Sequence, residues 1–138
     1  PLGPGAPPEM GELMVRRYQC QRCAAVVVVC PRVLRRCFRY AAVAIALALS
    51  LWTAEGQPAA AVRAQVSPFR VVGHEARRDW RSLRRWARAG PRLWPQLRAS
   101  PEALPQAMAH ELVRQLAAHA ALPSGVMSVD ACAGALGR

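Results

Sequence analysis

Lysine is absent from the 138-residue sequence, so all 19 basic side chains are arginine. The G-x-x-x-x-G-K-[ST] phosphate loop is therefore missing. Acidic residues number only eight and are scattered, which leaves no strand-borne acidic set for two-metal phosphoryl chemistry. His110-Glu111 opens like a zinc-protease H-E-x-x-H, but Arg114 stands where the second histidine belongs and a cation there repels a metal. No catalytic role is expected. Aromatic residues make up 6% although 53% of the chain is apolar, so the core draws heavily on Ala and Val and buries little area per residue. Residues 1–12 are rich in Pro and Gly and carry no basic start, so the opening does not read as a secretory signal. The missing initiator Met implies a fragment or a start at Met10.

What the sequence does have is positive charge: +11 overall. Arginine in place of lysine follows from a GC-rich genome, but the excess of arginine over acid does not. Charge of this size favours a polyanion, either nucleic acid or an anionic membrane surface. Residues 63–98 carry ten Arg against Glu75 and Asp79, whereas 99–138 carry two Arg and three acids. The polyanion surface is thus expected before residue 99.

The chain divides into four parts. Residues 1–12, rich in Pro and Gly, have the composition of a disordered leader. Residues 13–38 read as a partial zinc-ribbon-like β-hairpin, with Cys20 and Cys23 at its turn and a β-branched run at 26–29 stopped by Pro31. Residues 39–90 read as a helix-turn-helix module. The stretch 40–54 is uncharged for 15 residues, short of the roughly 20 a spanning helix needs, and its several apolar faces suit a central helix. Gly56 is placed to end it, and Pro58 to open a short helix reaching about Gln65. A tight turn at Gln65-Val66-Ser67 follows, with Ser67-Pro68 starting a further helix over 67–75. Over 79–89 Trp80, Leu83, Trp86 and Ala87 fall on one helical face, and Gly90-Pro91 is expected to stop the helix. Residues 91–138 supply an apolar link at Leu93, Trp94 and Leu97, a helix over 105–122 with Met108, Leu112 and Leu116 in one stripe, and a tail with little pattern.

Two constellations carry chemistry. Cys20 and Cys23 can aim both sulfurs at one zinc ion, but structural zinc wants four ligands and a second C-x-x-C is missing. Half a knuckle without metal is the competing account, and no other cofactor is expected. No βαβ pattern surrounds the pair, which argues against thioredoxin-like redox chemistry. Arg77, Arg81, Arg84, Arg85 and Arg88 cover the polar side of the 77–89 helix. Their mutual repulsion is offset only by Glu75 and Asp79, and a nucleic-acid backbone would relieve it. A merely solvated face is the alternative.

Residues 16–24, RRYQCQRCA, resemble the second knuckle of the zinc ribbons at the start of insertion-sequence transposases, of form R-R-Y-x-C-x-x-C-G. Residues 31–56, Val66-Ser67-Pro68 with Val71, and the W-x-x-L-x-R-W of Trp80 to Trp86 resemble the attached helix-turn-helix and the element after it. The likeness covers about 14–90. Ala24 replaces the usual Gly, Gln65 a turn Gly and His74 a bulky apolar residue, and the catalytic acidic domain has no counterpart. The resemblance implies DNA binding without strand transfer.

The sequence therefore predicts a mainly α protein with a short N-terminal hairpin, in which Arg70, His74, Arg77, Arg78, Arg81, Arg84, Arg85 and Arg88 meet DNA. The recognition element is either 67–75 or 77–89. The expected partners are DNA and a second copy of the chain, with no small-molecule substrate, in a cytoplasm and on its nucleoid. Two readings compete: a single-pass membrane protein with its span near 40–54, and a gene fragment without selected activity that presents a helical interaction surface.

Overall fold

The computed structural model describes residues 10–12, 14–29, 39–69, 71–74, 79–121 and 123–136. Two strands, β1 (Arg16–Gln19) and β2 (Val26–Val29), precede five helices: α1 (Ala42–Thr53), α2 (Ala59–Val66), α3 (Arg81–Leu93), α4 (Pro105–Ala118) and α5 (Met127–Leu136). The protein is mainly helical with a short antiparallel hairpin ahead of the helices.

Register in the hairpin runs from Arg16 opposite Val29 to Gln19 opposite Val26. At the turn Cys20 N–H donates to the Ala25 carbonyl at 2.8 Å and Ala24 N–H to the Cys20 carbonyl at 2.9 Å. Ala24 takes φ +57°, the left-handed conformation that favours the glycine it replaces. Every residue of both strands is exposed.

α1 is the centre of the bundle. It packs against α2, α3, α4 and α5, and Ala42, Val43, Ile45, Ala46, Ala48, Leu49 and Leu51 are all buried. Burying a side chain such as Ile45 or Leu49 stabilises by about 1.5–3 kcal/mol. The two hydroxyls are satisfied within the helix: Ser50 Oγ donates to the Ala46 carbonyl and Thr53 Oγ1 to the Leu49 carbonyl, each at 2.8 Å. Gly56, at φ +65°, turns the chain, and Gln57 N–H closes on the Leu51 carbonyl at 2.9 Å. At 12 residues α1 is too short to span a bilayer, and no helix among the described residues is long and apolar enough to do so.

Four expectations need correction. The helix over 67–75 is absent from the described part of that stretch: 67–69 and 71–72 are irregular, and Gly73-His74 forms only a short 3-10 turn. Ser67 ends α2, its N–H donating to the Arg63 carbonyl at 2.9 Å. Its hydroxyl accepts from Phe69 N–H at 3.3 Å and bonds Tyr40 Oη at 2.8 Å, so it fixes a loop in place of capping a helix. The β-branched pair Val71-Val72 and the left-handed Gly73 (φ +70°) also oppose helix there.

Secondly, Gly90-Pro91 does not stop α3, which runs through Pro91 to Leu93. Proline clashes with the Cβ of a helical residue before it, and Gly90 has none. Gly90 is also a contact point, because a Cβ there would strike the Leu112 side chain of α4. Thirdly, the tail folds as α5 against α1 and α4. A Cβ on Gly134 would fall on the Leu116 carbonyl oxygen, so the α4 and α5 backbones approach at a separation only glycine allows. α4 itself ends four residues earlier than expected, closed by His119 N–H donating to the Leu116 carbonyl at 3.0 Å.

Candidate nucleic-acid interface

The placement of α3 follows from its buried face. Leu83, Trp86, Ala87, Gly90 and Leu93 are buried along it. Trp80, at its start, meets Trp86 edge-on with ring centroids 4.9 Å apart, and Tyr40 meets both rings at 5.9 and 5.0 Å. Edge-to-face pairs of this kind contribute about 0.5–1.5 kcal/mol beyond area burial. The cluster joins the chain before α1 to the start of α3, and the Tyr40–Ser67 hydrogen bond adds the end of α2. Beyond α3, Trp94 and Leu97 continue the core, and the Arg98 backbone is held by Gln115 of α4, whose Oε1 accepts Arg98 N–H at 2.9 Å.

With that face buried, Arg81, Arg84, Arg85, Arg88 and Arg92 are all exposed on the other. Their spacing of three or four residues aligns them in one ridge, about 16 Å long at 1.5 Å rise per residue. Arg84 pairs with Asp79 at 2.6 Å on the surface, where such a pair contributes about 0–1 kcal/mol. No carboxylate among the described residues lies within ion-pair distance of the other four. Arg92 sits in the last turn, where the helix dipole favours a cation.

The structure thus brings together Arg81, Arg84, Arg85 and Arg88 and adds Arg92, missed because the helix was expected to end at Gly90. His74 is exposed but lies in the connection after α2, off the α3 ridge. Arg70, Arg77 and Arg78 lie outside the described residues.

Cys20 and Cys23 are free thiols exposed at the hairpin turn. The backbone N–H of Cys23, then that of Arg22, then the Cys23 thiol hold the Cys20 thiol below its usual pKa, because each favours a thiolate. The described residues contain no group of three His, Cys, Asp or Glu that could hold a metal, and Cys30 and Cys37 lie outside them. Cys132 is a core residue: its thiol donates to the Val43 carbonyl at 3.8 Å, and burial pushes its pKa up to about 11. On α4, Glu111 is gripped by Arg114 through two bonds at 2.8 and 3.0 Å. That grip, with a hydrogen bond from Gln115, lowers the Glu111 pKa to about 2. Comparison with protein-family models, curated proteins and solved structures returns no match.

Proposed function

We propose that this chain binds DNA, with the α3 ridge as its contact surface. The observation that carries the reading is the alignment of five exposed arginines on one helix, four of them without a carboxylate partner among the described residues. Like charges at this spacing repel, and a phosphate backbone is the partner that turns repulsion into attraction. The rigid core under α3 holds the ridge in place. Of the two candidate elements, α3 is the one that is helical among the described residues, so we assign the DNA contact to it. Packing of α1 against four other helices disfavours the membrane reading.

In this proposal the chain is a transposase-like DNA-binding module without a catalytic part, acting on the nucleoid in the cytoplasm. Zinc at Cys20 and Cys23 would need ligands from beyond the described residues. Replacing Arg81, Arg84 and Arg85 together with Ala should weaken binding to every DNA sequence by roughly tenfold or more in 0.1 M salt. The slope of log K against log salt should become shallower by about 2.7, at about 0.9 per lost phosphate contact. Anisotropy titrations at several salt concentrations measure both, with circular dichroism to check the fold. Unchanged affinity in the triple variant removes α3 from the interface.

A further inference from the structure

We infer that the α3 surface takes duplex DNA by its phosphates alone, reading no base and gripping no unpaired strand. The inference rests on the DNA reading above and concerns which nucleic acid the site accepts.

At 100° per residue the five arginines fill an arc about 100° wide, and the positions at its edges are Ser82, Ala89 and Pro91. No Asn, Gln, Asp or Glu stands on the exposed side of α3. Bidentate recognition of adenine needs Asn or Gln, and acceptance from the cytosine amino group needs Asp or Glu. The bidentate base contact left to this face is arginine to guanine, and any arginine so used is taken from phosphate; the half-buried Ser82 and Ala89 stand only at its edges.

The aromatics point the same way. Trp80, Trp86 and Trp94 are 9%, 1% and 0% exposed, so α3 and its flanks offer no ring on which an unpaired base can stack. Single-strand binders depend on such platforms. The exposed Phe69 lies in the connection after α2 and not on the ridge.

Charge density favours a duplex. Five arginines over about 16 Å are separated by four intervals averaging about 4 Å, and a duplex, with one phosphate per about 1.7 Å of axis over its two strands, offers twice the charge of a single strand within that length.

The test uses the full chain and four labelled probes: 20-base-pair duplexes of A·T only, G·C only and mixed sequence, and a 20-mer of thymidine. We expect dissociation constants for the three duplexes within about threefold of one another. The duplex salt slope should lie between about −3.6 and −4.5, for four or five phosphates. Thymidine 20-mer should bind at least about fivefold more weakly. R85A and R88A should each weaken all three duplexes by the same factor and make the slope shallower by about one.

A duplex spread wider than threefold overturns the inference, since one bidentate base contact discriminates by about fivefold or more. Preference for G·C would then reveal arginine reading guanine, and preference for A·T arginine in a narrow minor groove. Equal or tighter binding of the single strand overturns it too. Failure to bind any probe would instead sink the DNA reading itself.

Discussion

Asp130 shows how one carboxylate can fix a whole segment. From the first turn of α5 it accepts Ser124 N–H at 2.6 Å, Ser124 Oγ–H at 2.7 Å and Gly125 N–H at 3.1 Å. Three donors around one anion favour its ionised form, the Ser124 N–H most, and its pKa falls below the usual 3.8. A group whose folded pKa is depressed stabilises the fold above its unfolded value and loses that contribution as pH falls through the folded one. Asp130→Asn should therefore lower the urea midpoint at pH 7, where its amide presents N–H to donors that need an acceptor. The gap to the parent protein should narrow as pH drops below about 4. Glu111 is retained in both proteins and its acid titration cancels in the comparison. Parallel curves from pH 7 to 3 would show that the carboxylate charge contributes nothing.

Between elements, the hairpin and the bundle differ in what supports them. The helices share one core, whereas every hairpin side chain is exposed and two strands alone are marginal in water. β2 is four valines on an open edge without charge, proline or bulge, the kind of strand that pairs with other chains. Val27→Lys should leave helical thermal unfolding unchanged within about 0.5 kcal/mol and reduce aggregation at high concentration, as read by light scattering. A fall in melting temperature of more than about 5 °C would mean that the hairpin braces the bundle. The hairpin was legible from its turn and β-branched run, α1 from an uncharged stretch too short to span a bilayer, α2 from Gly56 and Pro58, and α4 from the stripe of Met108, Leu112 and Leu116. α5 was not: its Ala, Gly, Ser and Cys pack by backbone approach, as Gly134 does on Leu116, and close approach leaves no periodic signal. Ser67-Pro68 misled because the same hydroxyl that caps a helix can equally secure a loop, and only Tyr40, 27 residues away, decides which. In the candidate site the first four ridge arginines followed from spacing. Arg92 required seeing that a glycine before proline lets a helix continue.

For the molecule as a whole, charge and stability are linked through the ridge. A net charge of +11 on 138 residues opposes compactness, and the exposed arginines of α3 concentrate that opposition. Salt screens such repulsion, since the Debye length shrinks from about 30 Å at 0.01 M to about 10 Å at 0.1 M. The melting temperature of the free protein should therefore rise over that range. Duplex DNA should reverse the trend. Present at about 100 times its dissociation constant, it adds about 2.7 kcal/mol to the folded state at low salt, and this gain shrinks as salt weakens binding. Curves with and without DNA should converge as salt increases. The variant lacking Arg81, Arg84 and Arg85 separates the causes: with less repulsion it should melt higher than the parent in 0.01 M salt, and DNA should shift it little. If it melts lower, the arginines support the fold through contacts of their own, and a ridge held ready for phosphate is the wrong account of them.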